Sequence, residues 1–311
     1  MKAITGLPGL TVRHVGPEAA AVVLAIVRAA FETRPPLDPP ADALGETEAH
    51  LATALAHGGL VASVDGREVG ALVLDPDGST LWLRRVGVLP EVREHGVATD
   101  LVSAALATSS PYDEVAVLAR EELPATVTFW GDHGFVETAR RSPYVELRRP
   151  AARVQDAPDA EAMRALGAGL APSLRAGDVI VLTGELGAGK TTFTQGLGSG
   201  LQVRGEVTSP TFVIARVHPS LVGGPALVHA DAYRLGGVAE LDDLDLDTSL
   251  DEAVTVVEWG EGIAEGLADD RLEVRIERAV ADEAGHDGDL DPRRVVIRPI
   301  GRRWLEDPIR R

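Results

Sequence analysis

A short apolar run, Val179-Ile180-Val181-Leu182, leads into Gly184-Glu185-Leu186-Gly187-Ala188-Gly189-Lys190-Thr191. The octet fits the phosphate-binding pattern G-x-x-x-x-G-K-[ST], and no other stretch restricts the fold as much. The run before it reads as a buried parallel strand. Thr192-Phe193-Thr194-Gln195-Gly196-Leu197, after it, reads as the first turns of a helix. Strand, glycine loop and helix in that order aim backbone N–H groups and a helix N-terminus at phosphate. Gly184 through Thr192 are therefore the expected cradle for a nucleotide. Lys190 and Lys2 are the lysines of the chain. The loop needs a compact ammonium on a flexible stem to reach the β- and γ-phosphates, where a planar guanidinium would crowd the turn. Thr191 would offer its hydroxyl to a magnesium ion.

At 311 residues the chain is long enough for two domains. It has no cysteine, which excludes disulfides and cysteine-based metal sites. No stretch approaches the ~20 apolar residues of a membrane span. The first residues, broken by Gly6, Pro8 and Gly9, lack the apolar core of a signal peptide, so a cytoplasmic location is expected. The net charge of −18 argues against autonomous binding of nucleic acid. Any RNA substrate is expected to be met through a partner.

In the first half, Leu10–Val15 alternates as a strand does, and a helix is expected from about Pro17 to Phe31. Pro35, Pro36, Pro39 and Pro40 mark a loop before a second helix, Glu46 to Ala56. Strands Leu60–Val64 and Glu68–Leu74 flank Asp65-Gly66, a hairpin signal. A strand Thr80–Val88, a helix from about Gly96 to Thr108 and a strand Glu114–Leu118 follow. Pro124–Gly131 suggests a short helix, and Phe135–Arg148 one or two strands. A boundary is expected at Arg148–Arg153, because Pro150 cannot donate to a sheet ladder. The expected domains are 1–150 and 151–311. The second opens with a helix from Asp159 to about Ala171, whose Met163, Leu166 and Leu170 share a face, and Pro172 ends or kinks it. The acidic, leucine-spaced run Glu240–Glu252 reads as a solvated face with buried leucines.

Three further segments sharpen the phosphate loop. Val207-Thr208-Ser209-Pro210-Thr211-Phe212 lies ~20 residues beyond it, where many such proteins sense a γ-phosphate; an ordinary Ser-Pro turn is the alternative. Val228-His229-Ala230-Asp231-Ala232-Tyr233-Arg234-Leu235 puts Asp231 at a strand end, where it could hold magnesium directly or through water. Val254-Thr255-Val256-Val257-Glu258-Trp259-Gly260-Glu261 is an apolar strand ending in a carboxylate, placed to orient an attacking water. Alone, each carboxylate reads better as a capping or surface group. Together, in order, these motifs resemble the TsaE family of bacterial tRNA threonylcarbamoyladenosine synthesis, from about Asp159 to Arg275. The resemblance implies ATP hydrolysis with magnesium and association with a TsaB–TsaD complex acting at adenosine 37 of tRNA. It implies phosphate binding by Lys190, magnesium binding by Thr191, a switch hydroxyl in Thr208, a metal-site acid in Asp231 and a catalytic acid in Glu258, which also stands at the metal. Tyr233, Arg234 and Trp259 match family positions. A P-loop kinase is the alternative, and the whole motif set weighs against it.

The first half carries a weaker signal. Val88-Leu89-Pro90-Glu91-Val92-Arg93-Glu94-His95-Gly96-Val97-Ala98 follows a strand and opens a helix, and Arg93-x-x-Gly96-x-Ala98 fits [QR]-x-x-G-x-[GA]. Small residues there let backbone N–H groups approach a pyrophosphate. With Phe129-Trp130-Gly131-Asp132-His133-Gly134-Phe135 downstream, residues 10–148 resemble GNAT N-acetyltransferases. That implies acetyl-CoA as cofactor, bound by Val88, Arg93, Glu94, His95, Gly96, Val97 and Ala98, and an amine acceptor. Two departures stand out. Trp130 occupies the place where the family commonly has a tyrosine general acid, and an indole cannot protonate a thiolate usefully. Leu81–Val88 also lacks the acid that often serves as base. Tyr144, His133 and Glu121 are the available substitutes. The alternative is a fold that binds CoA weakly or only mediates contacts. The expected fold is thus α/β throughout, a GNAT-like mixed-sheet domain followed by a P-loop NTPase domain.

Overall fold

The computed structural model describes residues 7–210, 215–234, 251–260, 262, 264–278 and 292–310. The leucine-spaced acidic run lies outside them, apart from Asp251 and Glu252, as do Thr211, Phe212, Leu235 and Glu261. The chain divides into two compact units, Met1–Ala151 and Ala152–Arg311.

The first unit runs β1 (Leu10–Val15), α1 (Ala20–Glu32), α2 (Glu48–Ala54), β2 (Gly59–Val64), β3 (Arg67–Asp77), β4 (Thr80–Val88), α3 (Val97–Ala107), β5 (Glu114–Arg120), α4 (Pro124–Asp132), β6 (Val136–Arg141) and β7 (Tyr144–Pro150). Its sheet order is β1-β2-β3-β4-β5-β7-β6. Strand alternation explains the layering. Leu60, Ala62, Leu72 and Leu74 face one core with Val97 and Leu101 of α3. Val61, Ala71 and Val73 face the other, with Val23, Ile26 and Val27 of α1. Asp65 and Gly66, with φ of 49° and 81°, form the tight β2–β3 turn that two positive φ angles permit.

One irregularity shapes this sheet. Val73 pairs with Arg84 and Ala71 with Gly87, so two residues of β4 oppose one of β3. The bulged Arg85 has φ of 54°. A bulge bends its strand and increases its twist. Accordingly, the parallel pairing of β4 with β5 stops at Trp82 and Ala116. Beyond that point the strands diverge.

The second unit runs β8 (Arg153–Ala157), α5 (Ala160–Leu170), β9 (Val179–Gly184), α6 (Lys190–Gly200), β10 (Ala215–His218), β11 (Ala226–Asp231), β12 (Ala253–Glu258), β13 (Arg271–Arg278), β14 (Arg293–Ile300) and α7 (Arg303–Glu306). The sheet order is β10-β11-β12-β9-β13-β14-β8, and β11, β12, β9 and β13 are parallel. Ile180 and Leu182 meet Met163 of α5 and Phe193 and Leu197 of α6 on one face. Val179 and Val181 meet Val228, Val257 and Ala264 on the other. Both faces of the central strands are apolar, as a parallel sheet requires. Asp159 caps α5 by accepting from the Ala162 amide at 2.8 Å.

The expected boundary at Arg148–Arg153 spans the end of β7, where Pro150 pairs opposite Glu114, and the start of β8 at Arg153. Pro150 ends its strand, where the missing N–H costs least. Beyond Glu277, Arg293–Ile300 forms β14 between β13 and β8.

Candidate functional site

The phosphate loop joins β9 to α6. Its glycines solve a close-packing problem, since a methyl on Gly184 would stand 2.5 Å from the Ile276 carbonyl oxygen. Gly187 and Gly189 have φ of 77° and 106°, which a side chain would strain. Gly189 begins α6 without a side-chain cap, and the first amide to bond back is Phe193, to the Gly189 carbonyl at 2.9 Å. The preceding N–H groups of the helix therefore have no partner within it. An uncapped helix start carrying a lysine fits a phosphate group.

Lys190 is buried at 5% exposure. Its Nζ donates to the carbonyls of Gly184 and Glu185 at 2.8 and 3.0 Å and lies 3.8 Å from the centroid of the Trp259 ring. Burial holds the ammonium below the usual lysine range, while Glu258 and Asp231 pull it back up. Trp259 reaches this position at a backbone cost: its φ is +60°, rare for a bulky residue, and its N–H bonds the Leu182 carbonyl at 2.9 Å.

The carboxylates sit where the sheet places them. Asp231 ends β11, Glu258 ends β12, and the two are register partners, with Glu258 also paired to Leu182 of β9. The carboxyl ends of adjacent parallel strands are the usual ligand edge of such sheets. Glu258 Oε1 accepts from the Thr191 hydroxyl at 3.0 Å and from His229 Nε2 at 2.8 Å. His229 is fully buried, and its Nδ1 has no hydrogen-bond partner among the described residues. Asp231 Oδ1 accepts from the Tyr233 amide at 2.9 Å, and the Tyr233 ring lies 5.3 Å from Trp259. Thr208 lies to one side, accepting from Arg216 at 2.8 Å. Leu186 projects outward at 85% exposure. Thus Lys190, Thr191, Glu258 and Asp231 gather at one strand edge. Among the described residues, no group of three His, Cys, Asp or Glu side chains forms a ready metal cluster, so a metal here would lean on the Thr191 hydroxyl and on phosphate oxygens.

The first unit holds a cavity of about 740 Å³ in the cleft where β4 and β5 diverge. Val88, Arg93, Glu94 and Ala98 line it, as do Trp130 and Tyr144. Gly96, with φ of 84°, turns the chain into α3. Val97 enters the core, and His95 donates through Nδ1 to the Arg93 carbonyl at 2.6 Å. Of the substitute acids, Tyr144 faces the cavity, beneath the Arg120 guanidinium at 5.2 Å. His133 bonds the Phe129 carbonyl at 2.7 Å, and Glu121 accepts from Ser142 at 2.6 Å.

Comparison with known proteins follows the same division. The family model described as threonylcarbamoyl adenosine biosynthesis protein TsaE matches residues 157–285. The tRNA threonylcarbamoyladenosine biosynthesis protein TsaE of Streptomyces coelicolor is 63% identical over 143 residues, 46% of this chain and 93% of that protein. The chain belongs to the TsaE family. The TsaE of Mycobacterium tuberculosis H37Rv is 48% identical over 149 residues, 46% of this chain and 89% of that protein. The acetyltransferase (GNAT) family model matches residues 24–135, so a GNAT-family domain is fused to the TsaE domain. The crystal structure of PaiA N-acetyltransferase from Thermoplasma acidophilum in complex with coenzyme A aligns with 45% of this chain and 98% of its own, at 13% identity and a TM-score of 0.41.

Sequence reasoning gave His229 no role in this TsaE domain, although i, i+2 spacing in a strand puts it on the same face as Asp231. It also missed Arg293, whose Nε donates to the Ala188 carbonyl at 3.2 Å and braces the phosphate loop from β14. No local signal marks that contact, because 105 residues separate the pair.

Proposed function

We propose that the TsaE domain hydrolyses ATP with magnesium in tRNA threonylcarbamoyladenosine synthesis, supporting turnover of a TsaB–TsaD complex in the cytoplasm. The observation that carries this reading is the Glu258 carboxylate, held by Thr191 and His229 at a strand edge beside Lys190. Gly184 to Thr192 would cradle the phosphates with backbone N–H groups and the start of α6. Lys190, now resting on loop carbonyls, would turn its ammonium to the β- and γ-phosphate oxygens. Glu258, oriented by His229, would accept a proton from the attacking water. Thr191 and Asp231 would hold the magnesium, with Glu258 at its edge and Thr208 approaching the γ-phosphate from its own segment. A bound magnesium ion would draw off charge from the departing phosphates. The net charge of −18 suits a protein that meets tRNA only indirectly, through its partner complex.

The GNAT domain is read as an acetyltransferase that takes acetyl-CoA and an amine. The cleft between diverging β4 and β5 and the uncapped start of α3 support it. Tyr144 is the acid that faces the cavity, and Arg120 over its ring would favour the phenolate left after proton donation.

The test is phosphate release from ATP by the full chain, alone and with TsaB–TsaD. Release that the complex stimulates, and that Lys190→Ala removes, is the expected result. Release indifferent to the complex, or retained in Lys190→Ala, would overturn the reading.

A further inference from the structure

The cavity of the first unit contains an arginine without a counter-ion among the described residues. Its charged lining is mostly basic: Arg34, Arg84, Arg85, Arg93 and Arg120 face Asp42 and Glu94. Three of these arginines are neutralised within the fold. Arg84 pairs with Asp75 at 2.6 Å, Arg85 with Glu46 at 2.6 Å and Arg120 with Glu122 at 2.7 Å. Arg93 spends its Nη2 on the Ala30 carbonyl and the Thr33 hydroxyl, each at 2.8 Å. Arg34 has no hydrogen bond or ion pair from its guanidinium to any described residue; its Cζ lies over the Phe31 ring, 3.6 Å from the centroid. Neither Asp42 nor Glu94 comes within ion-pair distance of it among the described residues. Burial, together with the like charge of Arg93, pushes the Arg34 guanidinium down to about 10. A half-buried cation with donors to spare, kept beside another cation, is poorly solvated and gains from an anion.

The segment bearing Arg34 is fixed in place. Arg93 ties the end of α1, and Arg120 donates to the carbonyls of Pro39 and Asp38 at 2.8 and 3.0 Å. Arg120 is also the residue above the Tyr144 ring. Arg34 thus stands near Arg93 and four residues before the Asp38–Pro39 segment that Arg120 holds beside Tyr144. A preorganised guanidinium matches the planar, two-oxygen geometry of a carboxylate.

We propose that the acceptor of this domain is an amine that also carries a carboxylate, and that Arg34 binds that carboxylate. The proposal rests on reading the domain as an acetyl-CoA-dependent acetyltransferase. The test uses the full chain and pairs of amines that differ only as free acid and carboxamide, such as glycine with glycinamide and glutamate with glutamine amide. Thiol release from acetyl-CoA gives kcat/KM for each, and calorimetry gives acetyl-CoA affinity. The acids should be preferred by about tenfold or more, the size of a charge-assisted hydrogen bond. Arg34→Gln should remove that preference without weakening acetyl-CoA. Equal use of acids and amides, or no transfer to any pair by a chain that binds acetyl-CoA, overturns the proposal alone. Weaker acetyl-CoA binding in Arg34→Gln also overturns it, by assigning the arginine to the cofactor. Absence of acetyl-CoA binding to the wild-type chain overturns the acetyltransferase reading itself.

Discussion

Two glycines of α5, Gly167 and Gly169, should respond to alanine with opposite signs. A methyl on Gly167 would lie 2.2 Å from the Phe193 carbonyl oxygen and 2.8 Å from the Leu197 amide nitrogen. Both are backbone atoms of α6, so neither can rotate aside. Ordinary contact is about 3.5 Å, so the helices must part by roughly 1 Å. Overpacking of this kind costs about 1–3 kcal/mol, and the better helix propensity of alanine returns up to about 1 kcal/mol. A net loss of roughly 1–2 kcal/mol lowers the melting temperature of a unit this size by about 2–8 °C. Because α6 carries Lys190, a shift of ~1 Å should also cut ATP turnover by as much as ~100-fold. Gly169 is exposed, and nothing lies within 4 Å of its added methyl. Gly169→Ala should therefore gain about 0.5–1 kcal/mol. Urea unfolding of both variants, followed by tryptophan fluorescence, reads the difference. Equal signs, or a Gly167→Ala protein as stable as wild type, would refute the packing argument.

Two other outcomes follow from buried charges of the second unit. Asp178 Oδ2 accepts from Arg303 Nη2 at 2.9 Å, and both residues are buried, which fastens α7 to the start of β9. Asp178→Ala strands the guanidinium and should cost about 3–5 kcal/mol in urea unfolding; a loss under about 1 kcal/mol would show that the pair is not desolvated. His218 is buried, and burial, with smaller contributions from His229 and Arg216, lowers it from 6.5. The folded ring therefore stays neutral where the unfolded chain takes up a proton. Its contribution is whole above pH 6.5 and is lost as pH falls from there through the folded value. His218→Gln should flatten the pH dependence of stability in that acid window, and an unchanged slope would contradict the assignment.

Much of the architecture was legible because local chemistry dictates it. The Asp65-Gly66 turn, the apolar β9 and the glycine loop after it each carry their signal within a few residues. Capping by Asp159 and the alternation in β2 and β3 are equally local. What escaped notice is long-range. β14 alternates arginines with apolar residues and β8 is a short polar edge strand, so they read as polar segments until β13 pairs with β14 and β14 with β8. The bulge at Arg85 depends on its register with Leu72, not on any glycine in the sequence at that point. In the candidate site of the second unit, the residue types at 190, 191, 231 and 258 were readable from motifs. Their convergence was not, because Thr191 meets Glu258 across 67 residues.

In the proposed hydrolysis Glu258 acts on the attacking water rather than on nucleotide binding. Glu258→Gln keeps the shape and an acceptor oxygen for Thr191 and His229 but removes the base. The decisive measurement is single-turnover ATP hydrolysis by Glu258→Gln at saturating nucleotide, with affinity measured in parallel by a fluorescent ATP analogue. Affinity should stay close to wild type while hydrolysis slows by about 100-fold or more. Hydrolysis within a few-fold of wild type would contradict it.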